Sequence, residues 1–96
     1  MSAYLIVDIS ITDQDAYAEY VAKVPDVIRQ WGGEYVVRGG NPDNTEGDWH
    51  CERMVVLRFA DRDTALGFLH SEDYAPLKAI RHGAAESRGI IVDGFE

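Results

Sequence analysis

The chain is poor in cysteine, proline and positive charge, and it holds no long apolar run. One cysteine, Cys51, in 96 residues excludes an intrachain disulfide and fits a reducing compartment. Nine basic residues against seventeen acidic ones leave a formal charge of −8. That balance argues against nucleic acid and against an anionic membrane surface as partners. No apolar stretch approaches a membrane span, and Met1-Ser2-Ala3-Tyr4 lacks the basic start of a signal peptide. A cytoplasmic location is therefore expected. Three prolines and no low-complexity run leave no linker, so one domain is expected over residues 1–96.

What is present is organised around Gly32-Gly33-Glu34-Tyr35-Val36-Val37-Arg38-Gly39-Gly40, two glycine pairs bracketing five residues of strand character. The first pair reads as a helix stop, because glycine reaches positive φ without strain. Between the pairs, alternation sends Tyr35 and Val37 to one face and Glu34, Val36 and Arg38 to the other. Gly39-Gly40 with Asn41-Pro42-Asp43-Asn44 then supplies turn chemistry. A phosphate-cradling loop should run from strand into helix; these glycines run from helix into strand.

Residues 4–11 alternate, with Leu5, Val7, Ile9 and Ile11 on one face and Tyr4, Ile6, Asp8 and Ser10 on the other, which predicts a first strand. Thr12-Asp13 opens a helix whose apolar stripe runs from Ala16 to Trp31. Pro25 inside that stripe predicts a kink or short break near Val24. A polar, acidic connection, residues 41–52, leads to a third strand, residues 53–59, with Arg53, Val55, Leu57 and Phe59 sharing a face. Asp61 caps a second helix, Ser71 restarts it, and Tyr74, Leu77, Ile80 and Ala84 form its second stripe. Residues 88–94 read as the last strand.

The order β-α-β-β-α-β predicts an α+β, ferredoxin-like domain: a four-stranded antiparallel sheet with its helices on one face. The uncovered face is expected to expose Ile6, Val36, Met54, Val56 and Ile91, a patch that a second copy would cover in a homodimer.

These features, in order and spacing, resemble the short bacterial proteins called domain of unknown function thirteen-thirty. The carrying residues are Thr12-Asp13, Tyr17 and Tyr20, Gly32-Gly33-x-Tyr35-x-x-Arg38-Gly39-Gly40, Glu46-Gly47, Phe59, and Tyr74 with Leu77 and Arg81. The resemblance implies a dimeric α+β barrel with a small-molecule pocket in each subunit, and no assigned reaction. Related barrels include cofactor-independent monooxygenases, lactone isomerases and haem-degrading enzymes, an analogy of fold alone. The His50-Cys51 pair lies outside that pattern.

Arg38 and Asp8 are the sharpest polar candidates, since alternation puts both on the uncovered face. There Arg38 would hold a carboxylate or enolate and Asp8 would act as base or orienting group. A structural salt bridge at an interface is the competing account. His50 is a second candidate base, with an ordinary pKa of about 6.5; a plain loop histidine is the alternative. Trp49, Tyr74 and Arg81 are expected to rim the pocket, Tyr74 and Arg81 lying two helical turns apart. Tyr17, Tyr20 and Trp31 read as core aromatics. The acidic connection fails calcium-loop spacing, and one His with one Cys is too little for zinc, so neither a metal nor an organic cofactor is expected.

The leading expectation is a cofactor-independent enzyme, monooxygenase- or isomerase-like, acting on a small anionic or enolisable molecule. The alternative is a non-catalytic ligand-binding or interaction homodimer.

Overall fold

In the computed structural model, which describes residues 1–96, the elements follow the expected order. They are β1 (Ala3–Ile11), α1 (Gln14–Gln30), β2 (Glu34–Gly39), β3 (Arg53–Phe59), α2 (Arg62–Leu69), α3 (Ala75–Ala84) and β4 (Ala85–Asp93). The sheet order is β2-β3-β1-β4 and every neighbouring pair is antiparallel. The helices cover one face, where Leu5, Ile9, Val24, Ile28, Phe59 and Phe68 belong to a single buried cluster. The fold is ferredoxin-like.

The caps follow from side-chain chemistry. Asp13 accepts from the Ala16 N–H at 3.1 Å and Asp61 from the Thr64 N–H at 2.8 Å, each satisfying a donor that the helix start leaves free. Ser71 accepts from the Tyr74 N–H at 3.1 Å and returns its own hydroxyl to the Phe68 carbonyl, which joins the two pieces of the second helix. The glycine pair after α1 divides its work. Gly32 takes φ 71°, ending the helix, whereas Gly33 is needed for closeness: a Cβ there would stand 2.7 Å from the Phe59 ring.

Three expectations are corrected. The break at Pro25 does not occur, and α1 runs unbroken through it. One missing hydrogen bond is tolerated because Val24 and Ile28, on either side, are anchored in the core. The last strand begins at Ala85, directly after Ala84, so no loop separates α3 from β4. Pairing with β1 puts Ile91 opposite Leu5, on the helix side, and Ile90 opposite Ile6 on the uncovered side. The exposed patch is therefore built with Ile90 (60% exposed) and Val36 (53% exposed), not with Ile91.

A fourth correction bears on the site. The β2–β3 ladder pairs Tyr35 with Leu57 but Val37 with Val56 and Arg38 with Val55, so one extra residue is accommodated between Tyr35 and Val37. A bulge of this kind reverses the faces of everything beyond it. Arg38 shares the helix-side row with Val55, and Asp8, opposite Met54 and Arg88, lies on the other side of the sheet.

Candidate functional site

Between the helices and the sheet lies a cavity of about 250 Å³, lined mainly by apolar side chains such as Val7, Val24 and Val55. Its polar lining is arginine, tyrosine, serine and one histidine. No cluster of three or more histidine, cysteine or acidic residues is positioned to hold a metal.

Three arginines enter from different elements. Arg38 comes from β2 because of the bulge, and its Cζ stands 4.9 Å from the centre of the Tyr35 ring. Arg53 opens β3 on the same face as Val55 and Leu57, with its Cζ 5.6 Å from the Tyr17 ring. Gly39 clears space for that guanidinium: a Cβ there would lie 3.2 Å from Arg53 Nη1. Arg81, on α3, is buried and donates through Nη1 to Ser87 Oγ on β4.

The chain's seven arginines divide by what they meet. Arg29, Arg58, Arg62 and Arg88 each pair with a carboxylate, respectively Asp26, Glu34, Asp93 and Asp8. Arg38, Arg53 and Arg81 have no such partner, and all three line the cavity. Arg53 Nε is buried with no hydrogen-bond partner. An unmatched donor on a cation is costly unless something fills the site, because burial strips its water without replacing it.

At the α1–α3 side, the Tyr20 and Tyr74 hydroxyls lie 2.9 Å apart in a buried hydrogen bond. Burial, with Tyr74 beside it, pushes the Tyr20 phenol well above the ordinary tyrosine range. Burial also raises Tyr35. His82 stands at the edge of the cavity, and desolvation followed by the charges of Arg81 and Lys78 holds it below the usual histidine range. That shift favours the neutral imidazole, the form that accepts a proton.

Of the expected site residues, the cavity unites Arg38, Tyr74 and Arg81 and leaves out Asp8, Trp49 and His50. On the uncovered face, Trp49 Nε1 donates to Asp8 Oδ2 at 2.7 Å and Arg88 Nε donates to the same oxygen at 3.1 Å. The Trp49 hydrogen bond is the main reason that the Asp8 carboxyl sits below its ordinary range. Trp49 thus holds Asp8 instead of rimming a pocket with Tyr74. His50 projects into solvent, 3.4 Å from Asp48, beside an open hollow that it shares with Asp8 and Arg88 on the uncovered side. The sheet separates both candidate bases from Arg38.

Sequence reasoning missed Arg53 and His82 as site residues. Arg53 carried a signal, an arginine in line with the otherwise apolar Val55, Leu57 and Phe59. His82 carried none, since a histidine near a helix end reads as solvated.

No curated protein matches the chain. Among solved structures, a protein of unknown function from Rhodopseudomonas palustris aligns with TM-score 0.80 at 17% identity, covering 99% of this chain and 83% of its own. A dimeric ferredoxin-like protein of unknown function from Jannaschia sp. CCS1 aligns with TM-score 0.79 at 12% identity, over 98% of this chain and all of its own (100%). SnoaB, a cofactor-independent oxygenase from Streptomyces nogalater, aligns with TM-score 0.72 at 10% identity, over 99% and 94%. Identities this low establish a shared fold. The family described as domain of unknown function (DUF1330) matches residues 2–95, and this chain belongs to it.

Proposed function

We propose that the helix-side cavity is a site for a small organic anion with an apolar body, and that the protein is an enzyme whose own residues stabilise that anion. The observation that carries this reading is the division of the arginines: four pair with carboxylates, and the three that lack such partners line one largely apolar cavity. In such a setting a guanidinium fork holds a carboxylate or enolate far better than it would in water.

The chemistry these residues can supply is proton removal followed by charge stabilisation. His82 accepts a proton from an acidic C–H or O–H of the substrate, and the electron pair left behind is delocalised onto an oxygen held by arginine. The likeness of fold to SnoaB, a cofactor-independent oxygenase, supports a reaction of this type. A homodimer through the uncovered sheet face belongs to the same reading. It is supported by the exposed Ile90 and Val36 and by the dimeric Jannaschia protein of the same fold. In that dimer the Asp8, Trp49 and Arg88 cluster lies at the interface.

A second reading, non-catalytic ligand binding, is favoured by the lack of any carboxylate in the cavity lining. One experiment tests the proposal and separates the two. Thermal unfolding is followed against small carboxylates, phenols and lactones for wild type, Arg38→Ala and His82→Asn. A bound ligand at a hundredfold excess over its Kd stabilises the native state by about 2.7 kcal/mol. The shift should appear in wild type, vanish in Arg38→Ala and persist in His82→Asn. Deuterium uptake from D2O into the bound ligand should then occur in wild type and fail in His82→Asn. Binding without uptake leaves the non-catalytic reading, and no shift for any ligand removes both.

A further inference from the structure

The cavity's polar groups fall into two sets over an apolar stretch of sheet, with the Tyr17 ring between them, 5.6 Å from Arg53 Cζ and 5.5 Å from the Tyr20 ring. Arg38 belongs to edge strand β2 and Arg53 to its neighbour β3, whereas Ser87, which holds Arg81, belongs to the opposite edge strand β4. Arg53, Ile9 and Ser87 form one cross-strand row. At about 4.8 Å per strand step, roughly 10 Å of sheet separates Arg53 from Ser87, and about 14 Å separates β2 from β4. Between them the cavity is lined by Val7, Val55 and the bare backbone of Gly89.

The two ends offer different chemistry. Arg38 and Arg53 present two full charges, each beside an aromatic ring, Tyr35 and Tyr17. The other end is a hydroxyl pair with a guanidinium close by. Tyr20 and Tyr74 carry two O–H groups between them, and their mutual hydrogen bond uses one. The second O–H remains as a donor, and because either oxygen can be the acceptor in the pair, it can be offered from either ring. Arg81 has five N–H donors, and its side-chain partner in the protein is Ser87. Burial keeps the Tyr20 phenol protonated, so this end gives hydrogen bonds and does not take protons.

We infer that the ligand is bifunctional: a flat molecule with a carboxylate, seated between Arg38 and Arg53, and a second acceptor oxygen, seated on the Tyr20–Tyr74 pair with Arg81. The second oxygen is a carbonyl, enol or phenol, because the groups left unmatched at that end are donors, the spare tyrosine O–H and the remaining N–H groups of Arg81. The apolar middle takes a ring or an unsaturated chain. Long side chains reach in from both ends, so the free gap is shorter than the span of the sheet, and a single substituted ring suits it. A cavity of about 250 Å³ agrees with that size, lying just below the range of drug-sized sites, which begins at about 300 Å³. This inference rests on the anion-site reading above and adds the second contact.

The test uses two probes, phenylacetate and 4-hydroxyphenylacetate, titrated calorimetrically into wild type, Arg53→Gln and the tyrosine double variant. Circular dichroism checks that each variant is folded. In wild type the hydroxylated acid should bind about tenfold more tightly, the scale of one good buried hydrogen bond. Each single variant keeps one hydroxyl able to donate to the ligand, so it is the double variant, Tyr20→Phe with Tyr74→Phe, that should bring that ratio close to one while leaving phenylacetate within about threefold of its wild-type affinity. Arg53→Gln should weaken both probes by about tenfold or more and preserve the ratio. Equal binding of the two probes to wild type, or a ratio unchanged in the tyrosine double variant, overturns the second contact while the carboxylate site stands. Failure of both probes to bind wild type, or indifference of both to Arg53→Gln, overturns the anion site and the inference with it.

Discussion

The hydroxyl oxygens of Tyr20 and Tyr74 meet at 2.9 Å although 54 residues separate them in the chain. Each ring is anchored independently, Tyr20 beside Tyr17 with ring centres 5.5 Å apart and Tyr74 against Phe68 at 4.4 Å. The bond therefore forms between rings that packing already holds in place.

Removing one hydroxyl strands the other. Tyr20→Phe and Tyr74→Phe should each lower stability by about 1–2 kcal/mol, the cost of a buried group left unsatisfied. The double variant should lose clearly less than the sum of the two, because no polar atom remains to be satisfied. Urea unfolding of the four proteins reads this directly. Strict additivity would mean that the two hydroxyls do not depend on each other.

Arg53 is held at a cost. Its Nε is buried without a partner in the ligand-free protein. Arg53→Met keeps the stem's packing and removes the unmatched donor, so the empty protein should become more stable by about 1 kcal/mol. The same variant should show no stabilisation by any carboxylate that stabilises wild type. A variant that is less stable and still responds to ligand would show Arg53 to be structural.

Acid should expose the role of Asp8. Its carboxyl is held below the ordinary range, so between the folded and unfolded pKa values the native state binds fewer protons than the unfolded chain. Stability therefore rises with pH across that interval. The contribution is fully present above the unfolded value of about 3.9 and is lost as pH falls through the lower, folded value. Asp8→Asn should be less stable than wild type at pH 7, and the difference should shrink as the pH is lowered from 7 through about 3.9 and below. A difference that stays constant across that range would show that the Asp8 charge contributes nothing.

Ile90 tests the uncovered face. It is 60% exposed and paired across from Ile6, in the middle of the apolar patch. Ile90→Glu should leave the circular dichroism spectrum unchanged and convert a dimer to monomer at micromolar concentration, measured by light scattering. A variant that remains dimeric would place the interface elsewhere.

Element order, caps and the helix-covered face were legible because each has a local cause. Period-two alternation marked β1 and β3, while Asp13, Asp61 and Ser71 marked the helix starts. The face of Arg38 was illegible because the bulge sits at Tyr35-Val36-Val37, three good strand formers with no glycine or proline to betray an extra residue. The start of β4 was hidden because Ala84 and Ala85 both favour helix, and pairing with Ile11 decides the matter. The cavity was hidden for a more basic reason. It consists of what side chains from all seven elements fail to fill, and alternation within one element carries no information about that.

The division of the arginines also fixes how a ligand must arrive. An anion far from the surface meets a chain of net charge −8 and is repelled, and only near the cavity do three unpaired cations reverse the sign. Salt at about 0.1 M screens charges beyond roughly 10 Å far more than it screens those in contact. The entry rate of a carboxylate should therefore increase with ionic strength, the reverse of ordinary electrostatic steering. In that sense the acidic surface is a barrier to anions, and an anion bound at the proposed site should enter it slowly in dilute buffer however well the arginines hold it.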